Sequence, residues 1–108
     1  MKLISTKTYE RAIRKLIPME SRKKLEDSIA EDPTLAPVIS GTGGIRKLRW
    51  SVPGRGKRGG IRMIYFYHAR PEEIYLLMAY GKSTQEDLTP ADKKVLSKLV
   101  ATIKKESK

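Results

Sequence analysis

Ile61-Arg62-Met63-Ile64-Tyr65-Phe66-Tyr67-His68-Ala69-Arg70-Pro71-Glu72-Glu73-Ile74-Tyr75-Leu76-Leu77-Met78-Ala79-Tyr80 is two strand-forming runs joined by a turn. In the first run, Ile61 to His68, Met63, Tyr65 and Tyr67 alternate with Arg62, Ile64, Phe66 and His68. Both faces are largely apolar, the pattern of a central strand. The second run, Ile74 to Tyr80, is apolar on both faces as well. Arg70-Pro71-Glu72-Glu73 is too short for a crossover, so the two runs are expected to pair antiparallel.

Upstream, Gly41-Thr42-Gly43-Gly44 reads as a sharp turn that requires positive φ. A strand is expected from Ile45 to Val52, with Leu48, Trp50 and Val52 on one face and Lys47, Arg49 and Ser51 on the other. Pro53 to Gly60 is a glycine-rich basic loop leading into the central hairpin. Met1 to Ser5 has the composition of a short strand. Thr6 to Ile17 carries Tyr9, Ala12, Ile13, Leu16 and Ile17 on one helical face. Pro18 stops that helix. Met19 to Ala30 forms a second, with Leu25 and Ile29 inward and its mixed charges in solvent. Asp32-Pro33 closes it, and Ala36 to Ser40 connects to the glycine turn. Gly81 to Leu88 reads as a polar loop. Thr89 is then an N-cap and Pro90 the first residue of a last helix, with Val95, Leu96, Leu99, Val100 and Ile103 as its apolar stripe. Its Lys-rich end, from Lys104, is expected to fray. With no repeat and no linker, residues 1–108 are expected to form one domain. The class is α+β, with helices packed on one face of a small, mainly antiparallel twisted sheet and a C-terminal helix.

The 108 residues carry 23 Lys and Arg against 12 Asp and Glu, a net charge of +11. The excess is concentrated. Residues 33–71 hold eight basic side chains, Arg46, Lys47, Arg49, Arg55, Lys57, Arg58, Arg62 and Arg70, and no acid. A one-sign field of this kind attracts a polyanion, and nucleic acid is the expected partner. The absence of cysteine rules out disulfides and thiolate metal sites, and the lone His68 leaves no histidine-based zinc site. No metal or cofactor is expected. No apolar run approaches the roughly 20 residues a membrane span needs, and Met1 to Ser5 is no signal peptide, so a cytoplasmic protein with no membrane partner is expected.

The familiar catalytic patterns are missing. Gly54-Arg55-Gly56-Lys57-Arg58-Gly59 superficially resembles a phosphate loop, but it joins two strands and lacks the Ser or Thr after the lysine. His68, at a strand end, reads as structural, and Trp50 as core. What remains is a cationic cluster with a tyrosine: Lys57 and Arg58 in the loop, Arg62 on the strand it feeds, and Tyr80 and Lys82 at the end of the last strand. RNA carries its own nucleophile in the ribose 2′-hydroxyl. Cleavage then requires a base for that hydroxyl, positive charge on the phosphorane and an acid for the leaving oxygen. Crowded cations disfavour one another's charged forms, which makes a lysine among arginines a weak base. Arg62 can grip a phosphate bidentately, and Tyr80 can stack on a base or donate a proton. Clustered Lys and Arg bind phosphate more often than they cut it.

Gly41-Thr42-Gly43-Gly44-Ile45-Arg46-Lys47-Leu48-Arg49, Gly54 to Tyr65, Ile74-Tyr75-Leu76-Leu77 with Tyr80-Gly81-Lys82, and Asp87-Leu88-Thr89 resemble the HigB-type toxins of the RelE/ParE toxin superfamily. The resemblance runs from about residue 30 to the end. It implies a type II toxin–antitoxin module and a ribosome-dependent endoribonuclease that cuts messenger RNA in the ribosomal A site. It also implies a HigA-type antitoxin as inhibitor, and contact with operator DNA only through the antitoxin complex. Carried over by position, Arg62, Lys82, Lys57 and Tyr80 would be catalytic, with either Lys57 or Lys82 as base. Arg46, Lys47, Arg49, Arg55 and Arg58 would hold RNA. Two other readings stay open at this point: a non-catalytic RNA-binding or ribosome-associated module, and an inactive toxin acting as co-repressor with its antitoxin.

Overall fold

A computed structural model describes residues 2–51, 60–82, 85 and 87–106. Along the chain the elements are β1 (Lys2–Ser5), α1 (Lys7–Leu16), α2 (Met19–Glu31), β2 (Ile45–Trp50), β3 (Ile61–His68), β4 (Glu73–Gly81) and α3 (Pro90–Glu106). The four strands form one sheet in the order β1-β4-β3-β2. The expected hairpin is there: β3 and β4 pair antiparallel, and β2 joins β3 antiparallel on the other side. β1 pairs with β4 in parallel, so the sheet is mixed.

The side chains of β3 and β4 divide between two cores, which explains why both strands are apolar throughout. Ile61, Met63 and Tyr65 of β3, with Ile74, Leu76 and Ala79 of β4, pack under Tyr9, Ile13, Leu25 and Ile29 of α1 and α2. Ile64 and Phe66, with Leu77 and Tyr80, pack under Leu96, Val100 and Ile103 of α3. The α+β class therefore holds, with α1 and α2 on one face. The expectation of a single helical face does not extend to α3, which covers the opposite side. Helices on both faces are what strands apolar on both faces require. The α3 stripe is narrower than its sequence indicated, since Val95 and Leu99 lie exposed.

One irregularity positions the site. The β3–β4 register shifts between Ile64 and Tyr65: Ile64 faces Met78, but Tyr65 faces Leu76. The extra residue, Leu77, turns to the α3 core beside Leu76, which stays on the α1–α2 side. A bulge leaves a carbonyl out of the ladder. Thr6 fills that gap: its hydroxyl donates to Leu77 O at 2.8 Å and accepts from Tyr9 N at 3.0 Å, capping α1. Beyond the bulge the alternation is inverted, so Tyr80 lies directly opposite Arg62 on the α3 face.

The remaining ends are also tied down. Gly41, Gly43 and Gly44 all have positive φ, as the turn requires. A Cβ on Gly44 would meet the Phe66 ring at 3.3 Å, so the turn needs glycine there for space as well. Thr89 and Asp92 exchange hydrogen bonds, Asp92 N to Thr89 Oγ1 at 3.0 Å and Thr89 N to Asp92 Oδ2 at 3.2 Å, a reciprocal cap that starts α3. Lys104 does not fray: its ammonium donates to Gly43 O at 2.7 Å and lies over the Phe66 ring.

The charges between α1 and α2 are not all solvated either. Tyr9 donates its hydroxyl proton to Glu26 at 2.6 Å, Arg22 Nε donates to the same Oε2 at 2.8 Å, and Arg22 also bridges to Glu10. The Arg22 side chain is 13% exposed. Arg22→Ala would leave two half-buried carboxylates without their cation and is expected to cost about 2 kcal/mol at pH 7. Hydrogen bonding to Arg22, then to Ser5, holds the Glu10 carboxyl below the ordinary carboxylate range. Its contribution is complete above the unfolded-chain value of about 4.3 and is lost as pH falls through the lower folded value. Denaturant unfolding at pH 7 and pH 3 checks this, with the gap between wild type and variant expected to narrow in acid.

Candidate active site

Three strands carry the site. Arg49 of β2 lies opposite Arg62 of β3, and Arg62 lies opposite Tyr80 of β4, so the three form a row across the α3 face of the sheet. Lys47 shares that face, two residues along β2. Directly opposed like charges destabilise a sheet, since facing Cβ atoms are about 5 Å apart. Arg49 is exposed, whereas Arg62 is only 7% exposed. Among the described residues, no carboxylate lies within 4.0 Å of Arg62. The one hydrogen bond of its guanidinium to a described residue is a long one, 3.4 Å, to Ile61 O. A guanidinium this deep usually has an anion as partner.

Tyr80 forms the floor beside it, 5% exposed and packed with Ile64, Leu88 and Leu96. Burial, then the Asp87 carboxylate, pushes its hydroxyl above the usual phenol range; Asp92 adds to this and Arg62 opposes it. The group therefore stays protonated at neutral pH. That hydroxyl is buried and has no hydrogen-bond partner among the described residues. Stacking on a base, one of the two roles expected for Tyr80, requires an exposed ring, which this packing does not offer. Proton donation is the other expected role, and the hydroxyl that would serve it is buried as well.

Lys82 follows directly. Its amide donates to Gly60 O at 3.1 Å, closing the open end of the β3–β4 pair, and its side chain is exposed. Ser51 and Gly60 bracket the stretch of sequence that holds Arg55, Lys57 and Arg58. These three lie outside the described residues, as does Val52, the expected last residue of β2.

Not every expected residue joins the row. Arg46 points to the opposite face, where its guanidinium donates to Ala36 O at 2.6 Å and Thr34 O at 3.4 Å. With Tyr65, whose hydroxyl donates to Pro33 O at 2.9 Å, it fastens the 33–38 connector to the sheet. His68 stacks on Phe66 at the far end of β3, six residues and about 20 Å from Arg62. Trp50 packs against the α1–α2 core, as expected.

One residue quoted in the resemblance was given no role at the site. Asp87, in the loop before α3, reaches back to β2 and bonds Lys47 Nζ at 3.3 Å. The signal was hidden because the partner is 40 residues away and the stretch around Lys47 contains no acid. Among the described residues no cluster of His, Cys, Asp or Glu could hold a metal ion, and no helix is long and apolar enough to cross a membrane. The chemistry available to the described site is that of cations and a phenol: binding a phosphate, stabilising added negative charge on it, and donating a proton.

Comparison with known proteins bears on what that chemistry serves. A family model described as the RelE toxin of the RelE/RelB toxin–antitoxin system matches residues 1–108. Among solved structures, an E. coli toxin RelE mutant in the free state is similar, with a TM-score of 0.53 at 16% sequence identity. The likeness covers 79% of this chain and 86% of that one. At this identity the likeness is one of fold: three helices on a four-stranded mixed sheet.

Proposed function

Since the chain belongs to the RelE toxin family and is the toxin of a toxin–antitoxin pair, we propose that it is a ribosome-dependent endoribonuclease of the HigB branch, cutting messenger RNA in the ribosomal A site. The observation that carries this reading is buried Arg62, set in register between Arg49 and Tyr80, whose buried hydroxyl has no hydrogen-bond partner among the described residues.

The reaction uses the RNA's own nucleophile. The ribose 2′-oxygen attacks the adjacent phosphorus, the bond from phosphorus to the 5′-oxygen breaks, and a 2′,3′-cyclic phosphate and a 5′-hydroxyl result. Arg62 grips the non-bridging oxygens and meets the charge that grows on the phosphorane. Tyr80 gives its proton to the departing 5′-oxygen. Lys82 or Lys57 takes the proton of the 2′-hydroxyl. Arg49, Lys47, Arg55 and Arg58 hold neighbouring phosphates. Arg46, engaged on the other face, serves the fold more directly than the RNA.

A site of arginines, lysines and a tyrosine lacks a strong base. It gains most from a substrate already splayed for in-line attack, and the ribosome supplies that geometry. The substrate exists in the cytoplasm, which is therefore where the toxin acts. An acid-rich HigA-type antitoxin is the partner that suits this surface, and operator DNA is reached through that complex.

The test is a purified bacterial translation system with messenger ends mapped by primer extension. Discrete cuts that require ribosomes are expected, with free messenger left intact at the same toxin concentration. Rapid cutting of naked RNA would overturn the ribosome dependence. Intact messenger beside a salt-sensitive block of translation would favour a binding module instead.

A further inference from the structure

The Lys47–Asp87 pair sets an acid directly against a cation of the described basic face, and stability does not account for it. The two side chains are 26% and 53% exposed. Surface pairs of this kind contribute little to folding. An acid here also weakens the field that attracts RNA. Yet the carboxylate is held firmly. Leu88 N donates to Asp87 Oδ1 at 2.8 Å, Gln85 Nε2 donates to Asp87 O at 2.8 Å, and the same Oδ1 accepts from Lys47. The backbone amide of Leu88, then Lys47, keeps the carboxyl below its ordinary range, so Asp87 is a carboxylate at neutral pH. Leu88 itself is buried in the α3 core beside Tyr80. The contact thus joins β2, at one edge of the cationic row, to the loop that covers the other.

We propose that Asp87 is a positioning residue for the cleavage: it ties Lys47 to the loop before α3 and so fixes the cationic edge of β2 relative to Arg62 and Tyr80. This rests on the nuclease reading above. A lysine that roams finds many phosphate positions, whereas one held in place sets the phosphate next to the scissile one, and small errors in such placement are costly to rate.

Asp87→Asn tests the tie with little disturbance, because the amide oxygen can still accept from Leu88 N while the charge is gone. With full-length toxin and messenger-programmed 70S ribosomes, kcat is expected to fall on the order of tenfold. KM is expected to stay level or drop, since removing an acid strengthens phosphate attraction. The melting temperature should hardly move. A merely structural residue would give the reverse, with a raised KM and a lowered melting temperature. Lys47→Met is expected to lower kcat similarly, and the double variant to be no worse than Lys47→Met alone. Asp87→Glu, which keeps the charge, should recover part of the rate.

Independent, multiplying losses in the double variant would overturn the proposal, as would an unchanged kcat in Asp87→Asn. The same cycle read by binding of a short single-stranded RNA separates the two claims. Asp87→Asn should tighten binding markedly less once Lys47 is gone. If wild type cuts nothing, the nuclease reading fails by itself, and the binding cycle still decides whether Asp87 holds Lys47.

Discussion

Arg62→Ala is expected to lower ribosome-dependent cleavage by about 10²–10³-fold in kcat/KM while the protein stays folded. That is the loss seen when one preorganised donor to a developing oxyanion is removed. Arg62 is 7% exposed and stands in the row between Arg49 and Tyr80. In such a place its interaction with a phosphorane is screened far less than at a surface. Truncation has two opposed effects on stability. It relieves the direct opposition to Arg49, and it removes the packing of the aliphatic stem. Circular dichroism melting is therefore expected to show a shift of a few degrees at most, and Arg62→Lys, which keeps charge and most of the stem, serves as control. Lys cannot offer the planar fork, so Arg62→Lys should recover a minor part of the rate. Affinity for free RNA should fall only modestly in Arg62→Ala, because Arg49, Lys47 and the loop cations still supply the field. A folded Arg62→Ala protein that cuts messenger within about threefold of wild type would move the active site off this face, against the charge-stabilisation argument.

How far the sequence disclosed this site depended on the range of the signal. Local signals were legible. The alternation in Ile61 to His68 gave the strand with its observed limits, Thr89 and Pro90 marked the start of α3, and Gly41 to Gly44 announced the positive φ that the turn adopts. The charge count put the cationic excess in the middle third. Long-range facts were hidden. Strict alternation through Ile74 to Tyr80 puts Tyr80 on the face of Leu76, and the bulge at Leu77 reverses that. Nothing in the run marks the bulge, because its compensation comes from Thr6, 71 residues away. Arg46 and Arg49 look equivalent in a list of cations, yet opposite pleats give one to the 33–38 connector and the other to the cationic row. Asp87 becomes visible only once β2 and the loop before α3 are brought together. The parallel pairing of β1 also depends on a partner some 70 residues distant, for which a four-residue strand carries no register signal.

Tyr80→Phe is expected to make the protein more stable and a poorer enzyme. The hydroxyl is buried, with no hydrogen-bond partner among the described residues, and a polar group in that state costs roughly 1–3 kcal/mol. Phenylalanine keeps the ring, so the contacts with Ile64, Leu88 and Leu96 survive. The gain in unfolding free energy is expected at about 1 kcal/mol, since part of the cost is relieved by small motions. In the proposed reaction the hydroxyl finds its acceptor when a phosphate comes up against Arg62, directly across the strand pair. It arrives protonated, because burial, Asp87 and Asp92 all hold its proton on. Loss of a positioned proton donor typically costs about 10²-fold or more in rate, so kcat should fall by that order while KM changes little. Denaturant unfolding and single-turnover cleavage on the same preparation read both effects. Higher stability with undiminished cleavage would mean that the leaving oxygen takes its proton elsewhere, with Lys82 the next candidate. Lower stability would mean that the hydroxyl has a partner after all and belongs to the core.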